Sequence, residues 1–271
     1  VASTILTRNH VTIHGQGDQP MLFAHGFGCD QNMWRFVTPD LENAHKLVLF
    51  DYVGSGKSDL NAYNIERYSN LNGYVEDVLE ICEALNLTDV IFVGHSVSSI
   101  IGILASIQAP QYFSRLILVC PSPCYINDLP DYLGGFDRSD IEGLLDLMEK
   151  NYIGWANFLA PMIMQNKERP ELINELETSF CSTDPVIAHR FAEVTFFSDN
   201  RRDLLKVSIP SLILQCSEDA IAPIEVGQYV HRYLHRSELR IMQATGHCPH
   251  MSHPQESLDL IKDYLATTYV I

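Results

Sequence analysis

The 271-residue chain is poor in cations, with 18 Lys and Arg against 34 Asp and Glu, for a formal net charge of −16. That shortage argues against nucleic acid and anionic membrane surfaces as partners, and against a polyanionic substrate outside a locally basic pocket. No apolar run is long enough to span a bilayer, and the N-terminus lacks the charged-then-apolar pattern of a signal peptide. A disulfide framework is absent too. The seven cysteines (Cys29, Cys82, Cys120, Cys124, Cys181, Cys216, Cys248) are odd in number and scattered, most of them beside apolar runs. They read as small buried hydrophobes in a reducing, cytoplasmic compartment. Gly56-Lys57-Ser58 ends like a phosphate loop, but the glycine required five residues earlier is Asp51. There is no internal repeat, linker or low-complexity stretch.

What is present is an ordinary globular composition, 46% hydrophobic and 19% charged, enough for one large domain or a domain with an insertion. Apolar runs of strand length fall at 10–14, 21–24, 47–51, 90–93, 116–119, 211–216 and 239–243, and helical spacing at 71–87 and 255–265. Strands alternating with helices predict an α/β protein with a mostly parallel central sheet and helices on both faces. Ligands then gather at the carboxyl ends of the strands.

The run beginning at Val90 passes through Gly94-His95-Ser96-Val97-Ser98 into small and apolar residues able to pack closely as a helix. A serine at a sharp strand-to-helix turn is the geometry of a nucleophile elbow, in which the turn lifts Oγ clear of the sheet. The alternative for these residues alone is a serine-rich helix cap without chemistry. The pattern departs from G-x-S-x-G at Ser98, a position that must be small because helix and strand approach closely there.

Other strand ends carry chemistry as well. His25-Gly26-Phe27-Gly28 follows the second run, Asp219 follows the run at 211–216, and His247 follows the last. The chain order Ser96, Asp219, His247 is that of hydrolases built on an elbow. A serine hydroxyl needs a base to take its proton. His247 suits that role because imidazole titrates near neutrality, and Asp219 would hold its tautomer. The backbone N–H groups of Phe27 and Val97 are the expected oxyanion hole. Glu218 is an alternative acid; His250 and His253 are alternative bases, or partners of His247 and Cys248 in a metal site whose spacing matches no common zinc pattern. His25 and His95 are expected to pack and hydrogen-bond in the site wall. No metal and no cofactor are expected.

From 125 to 200 the strand runs cease and the chain becomes helical and rich in aromatics and methionine, with Asp184-Pro185 marking a helix start. Trp155, Phe158, Leu159, Met162 and Ile163 are expected on one helical stripe. An insertion there can roof a pocket, so Trp155, Phe158, Met162, Phe136 and Phe196, with Cys248 beside the base, are the expected substrate-binding residues.

With those residues in view, nearly the whole chain resembles the α/β-hydrolase fold, and more narrowly the RsbQ-like bacterial stress-response hydrolases that regulate the general-stress sigma factor. That group is similar to the plant karrikin and strigolactone receptor hydrolases. The stretches that carry the likeness are Phe27-Gly28-Cys29-Asp30-Gln31, Phe50-Asp51-Tyr52-Val53-Gly54-Ser55-Gly56, Gly94-His95-Ser96-Val97 and Pro121-Ser122-Pro123-Cys124-Tyr125. Two more are Phe180-Cys181-Ser182-Thr183-Asp184-Pro185 and Gly246-His247-Cys248-Pro249-His250-Met251-Ser252-His253-Pro254. The resemblance implies a core of 1–122 plus 201–271, a four-helix cap at 123–200 over a closed apolar pocket, and the triad Ser96, Asp219 and His247. It also implies hydrolysis of a small hydrophobic ester- or lactone-like compound and a PAS-domain phosphatase partner met through the cap. The alternatives are a ligand-sensing signalling protein with slow or single turnover and a metabolic carboxylesterase. Dehalogenation is disfavoured, because that chemistry uses a carboxylate where this chain has Ser96.

Overall fold

The computed structural model describes residues 2–267; Val1 and residues 268–271 of the expected core lie outside the described residues. Seven strands form one sheet: β1 (Thr12–His14), β2 (Pro20–Ala24), β3 (Lys46–Leu49), β4 (Val90–His95), β5 (Phe113–Val119), β6 (Ser211–Glu218) and β7 (Ser237–Thr245). Their spatial order is β1-β3-β2-β4-β5-β6-β7, antiparallel at the β1–β3 edge and parallel throughout the rest. This is the mostly parallel central sheet that the sequence predicts. The helices are α1 (Ala2–Arg8), α2 (Leu71–Ala84), α3 (Val97–Gln108), α4 (Arg138–Lys150), α5 (Tyr152–Met164), α6 (Pro170–Ser182), α7 (Pro185–Phe196), α8 (Ile224–Tyr233), α9 (Pro249–Ser252) and α10 (Pro254–Ala266).

The central strands are apolar without interruption because both faces are covered. Met21, Phe23, Ile91, Val93, Ile117 and Val119 face one cluster with Leu258 and Ile261 of α10. The alternate residues Leu22, Phe92, Leu116 and Leu118 face α2 and α3 through Val78, Ile100 and Ile101 on the other. Burying a side chain of this size stabilises by about 1.5–3 kcal/mol, so a polar residue at any of these positions would be strongly destabilising.

Among the boundaries that differ from the sequence reading, three have a local reason in the backbone. The first strand starts at Thr12 rather than at 10, because His10 has φ 43°. The helix expected over 71–87 ends at Ala84, because Asn86 turns left-handed with φ 50°. Strand β5 begins at Phe113 rather than 116, extended by pairing with β4 from Val90 onward. Helices α1 and α8 had no counterpart in that reading.

Between β5 and β6 the chain makes α4 to α7. Asp184 caps α7, its carboxylate accepting from the Val186 and Ile187 N–H groups while Pro185 takes the first helical position. These helices are seated over the carboxyl ends of the strands by hydrogen bonds to the loops. The His247 N–H donates to the Ile163 carbonyl at 2.8 Å, and the Ser179 hydroxyl to the Gly28 carbonyl at 2.6 Å.

Candidate active site

Strand order places the site. The chain leaves β3, crosses through α2 and returns on the far side of β2 as β4, so β2 and β4 are neighbours at the point where the order reverses. Such a switch point opens a crevice at the strand carboxyl ends. Register pairs Ala24 with Gly94, which sets the His25-Gly26-Phe27 loop against His95-Ser96-Val97. The approach is close: a methyl group on Gly26 would lie 2.4 Å from His95 Nδ1. Gly28, at φ 73°, has the Phe180 ring 2.3 Å from the same imagined atom. Neither position has room for a side chain.

Ser96 is the turn between β4 and α3, with φ 57° and ψ −119°. A non-glycine residue holds that conformation only where the surroundings enforce it. Here the Ser96 N–H donates to the Val119 carbonyl at 2.8 Å and the Ser96 carbonyl accepts from Ser99 N–H at 2.9 Å. The hydroxyl lies 2.7 Å from His247 Nε2, and His247 Nδ1 lies 2.6 Å from Asp219 Oδ2. The other carboxylate oxygen, Oδ1, accepts from the N–H groups of Ile221 at 2.8 Å and Ala222 at 3.0 Å. All three side chains are buried. The structure thus brings Ser96, His247 and Asp219 into one hydrogen-bonded line. Glu218 points to solvent and offers nothing to His247.

Phe27, on the loop after β2, and Val97, the first residue of α3, flank Ser96, and neither N–H is taken by an acceptor among the described residues. Tyr125, not singled out by its residue type, puts its hydroxyl 3.2 Å from Ser96 Oγ. Burial pushes that phenol well above the usual tyrosine range, so it stays protonated and able to donate.

His25, His95 and His250 surround the line without joining it. His95 Nε2 bonds the His247 carbonyl at 2.6 Å and so holds the base from behind. His25 accepts the Tyr52 N–H at Nε2 (3.2 Å), which leaves Nδ1 to donate to the Gly26 carbonyl at 2.8 Å. His250 is buried between Trp34 and His95, with ring centroids 4.5 Å away in each case and neither ring nitrogen bonded. Cys120, Asp219 and His247 bring donor atoms within 4.8 Å of one another. The acid and base are already bonded to each other, and burial raises the Cys120 thiol well above its ordinary value. The set is therefore poorly prepared to hold an ion.

These neutral histidines have a consequence for stability. Burial pushes His250 down to about 3, with the nearby His247 acting in the same direction, and also lowers His95 and His25. An unfolded chain binds protons at these sites below pH about 6.5, whereas the folded protein does not. This contribution is complete above that pH and for His250 is lost as pH falls toward 3, by up to about 1.4 kcal/mol per pH unit, with His95 and His25 acting in the same direction. Thermal melts should show Tm falling between pH 6.5 and 4, with a shallower fall in His250→Phe. Equal slopes would show that His250 is not held neutral.

Above Ser96 is a cavity of about 30 Å³, bordered by Phe27, Cys29, Tyr125, Ile163, Leu176, Phe180, Thr195, Phe196, Ile221 and Cys248 beside the polar line. Among the expected pocket residues, Phe196 and Cys248 border it. Trp155 sits one ring further out, stacked on Phe180 at 5.2 Å, and Phe136 packs on Phe196 at 6.5 Å. Met162 is only part-buried and does not border the cavity. Phe158 is a correction: it is 54% exposed. The buried face of α5 is centred on Ala156, Leu159, Ala160 and Ile163, and Phe158 falls outside that arc. Leu172, Leu176 and Phe180 were the usable signal instead, since their spacing of four marks the inward face of α6.

Among the described residues no helix is long and apolar enough to cross a membrane. A sequence model of the Alpha/beta hydrolase family matches residues 21–260. A karrikin insensitive 2 receptor of Petunia hybrida is 38% identical over 91% of this chain and 91% of its own length. A strigolactone esterase of Pisum sativum is 35% identical over 94% and 95%. Among solved structures, a hydrolase from Oleispira antarctica superposes with a TM-score of 0.97 at 49% identity, covering 98% of each chain.

Proposed function

The chain belongs to the Alpha/beta hydrolase family, and from that premise we propose that it is a serine hydrolase cleaving a small hydrophobic ester or lactone through an acyl-enzyme. The observation that carries this is the line Ser96–His247–Asp219, with contacts of 2.7 and 2.6 Å beneath an apolar cavity. His247 takes the hydroxyl proton as Ser96 Oγ attacks the carbonyl carbon, and Asp219 stabilises the imidazolium that forms. The N–H groups of Phe27 and Val97 receive the oxyanion. His247 then returns the proton to the leaving alcohol, and water hydrolyses the acyl group from Ser96.

A second reading is ligand sensing with slow or single turnover. It is favoured by relatives named as a receptor and as an esterase, and by a cavity with room for about one water. A substrate larger than this cavity needs its lining side chains to move, so binding and rearrangement of the helices above would be coupled. In that reading the protein signals in the manner of the RsbQ-like hydrolases, in the cytoplasm, to a PAS-domain phosphatase docked on α4–α7. The exposed Ile153 and Val186 support such a surface.

Stopped-flow hydrolysis of chromogenic acyl esters from C2 to C10 separates the readings. Sustained fast turnover with a chain-length optimum supports a metabolic carboxylesterase; a stoichiometric burst followed by near silence supports the sensor. For the partner, Ile153→Glu with Val186→Glu should abolish capture of the phosphatase while hydrolysis persists. Capture that survives the pair removes this docking site.

A further inference from the structure

We propose that Ser98 is a positioning residue for the oxyanion-binding groups, tying the segment that carries the Val97 N–H to the segment that carries the Phe27 N–H. The proposal rests on the reading of Ser96 as an acyl-accepting nucleophile. Ser98 occupies the position where the elbow pattern has glycine, and its side chain is fully buried. Its hydroxyl donates to the His25 carbonyl and, having used its one proton, accepts from the Tyr52 hydroxyl at 2.8 Å. One end of this bond is one residue after Val97; the other is two residues before Phe27.

His25 is held at its carbonyl and at both ring nitrogens. Its carbonyl is bonded by Ser98, its Nε2 by the Tyr52 N–H, and its Nδ1 by the Gly26 carbonyl. The Tyr52 ring also packs edge-on against the imidazole, with centroids 5.0 Å apart. Tyr52 therefore grips His25 twice, once directly and once through Ser98. On the elbow side there is equally little slack, since a methyl group on Gly94 would lie 2.6 Å from the Ser98 carbonyl oxygen. The loop and the elbow thus share one fixed frame. A glycine at 98 would remove the one side-chain hydrogen bond between them among the described residues and leave the Tyr52 hydroxyl and the His25 carbonyl buried without that partner. Donors aimed at developing charge act through their placement, so loosening one by a fraction of an ångström affects the transition state and not substrate binding.

The test uses Ser98→Ala and two ketones, a trifluoromethyl ketone that forms an oxyanionic adduct with a serine and its methyl ketone parent. The expected result is a fall in kcat of about tenfold to hundredfold with KM within about twofold. Affinity for the trifluoromethyl ketone falls by the same factor as kcat, and affinity for the methyl ketone is unchanged. Ser98→Cys, similar in size with a weaker donor, gives a smaller loss and replaces the alanine variant in every comparison if that variant does not fold. Unchanged kcat with a lowered Tm overturns the proposal, because the hydroxyl would then be structural only. Equal losses for both ketones overturn it as well. If the wild-type protein forms no adduct with the trifluoromethyl ketone, the nucleophile reading itself fails; if it forms one that Ser98→Ala leaves as tight, only the positioning role fails.

Discussion

Ser96→Ala is expected to lower kcat/KM for a chromogenic acyl ester by about four orders of magnitude or more, leaving only what binding and the proposed oxyanion donors supply. The size follows from the position of the hydroxyl. It is the group 2.7 Å from His247 Nε2 at the floor of the cavity, and the neighbouring Tyr125 hydroxyl, 3.2 Å from it, is held protonated by burial and is no substitute nucleophile. Initial rates of purified wild type and variant, compared with intact Tm, measure the effect. A variant retaining a tenth of the wild-type rate would remove Ser96 from the chemistry.

Asp219→Asn is expected to cost about 10⁴ in kcat while leaving the fold in place. The reason lies in the loop after β6. Oδ1 accepts two backbone N–H groups, from Ile221 and Ala222, and only an oxygen can accept there. An asparagine must keep its oxygen at that site and so turns its NH₂ toward His247 Nδ1. That nitrogen then has to accept, the imidazole proton moves to Nε2, and Nε2 can no longer take the proton of Ser96. The check is kcat across pH together with a crystal structure or amide-flip assignment of the variant. A loss below about tenfold would mean that Asp219 does not set the tautomer.

Much of this was legible in the chain. The β-branched run of β4 and the abrupt Gly-His-Ser after it marked the elbow, and strand-end placement drew Asp219, His247 and the Phe27 loop toward it. Local pattern suffices there because a buried parallel strand must be apolar and its chemistry must follow its last residue. It does not suffice for contacts between distant segments. Tyr125 reaches Ser96 across 29 residues, and Ser98 reaches His25 across 73, with nothing in either neighbourhood announcing the meeting. The pocket shows a different difficulty. A helical stripe fixes which residues share a face, but Phe158 and Trp155 lie close enough in phase that only the packed neighbours decide which edge is covered. The Ser98 departure from the elbow pattern illustrates the same point, since its hydroxyl is satisfied by groups from the loops after β2 and β3.

The most direct measurement is rapid-quench intact-mass spectrometry during hydrolysis of 4-nitrophenyl acetate, followed by peptide mapping. The account predicts one acetyl group per chain in the burst phase, carried on Ser96, absent from Ser96→Ala and slow to form in Asp219→Asn. Hydrolysis at the wild-type rate with no acylated species, or an acetyl group on another side chain that persists in Ser96→Ala, would contradict it.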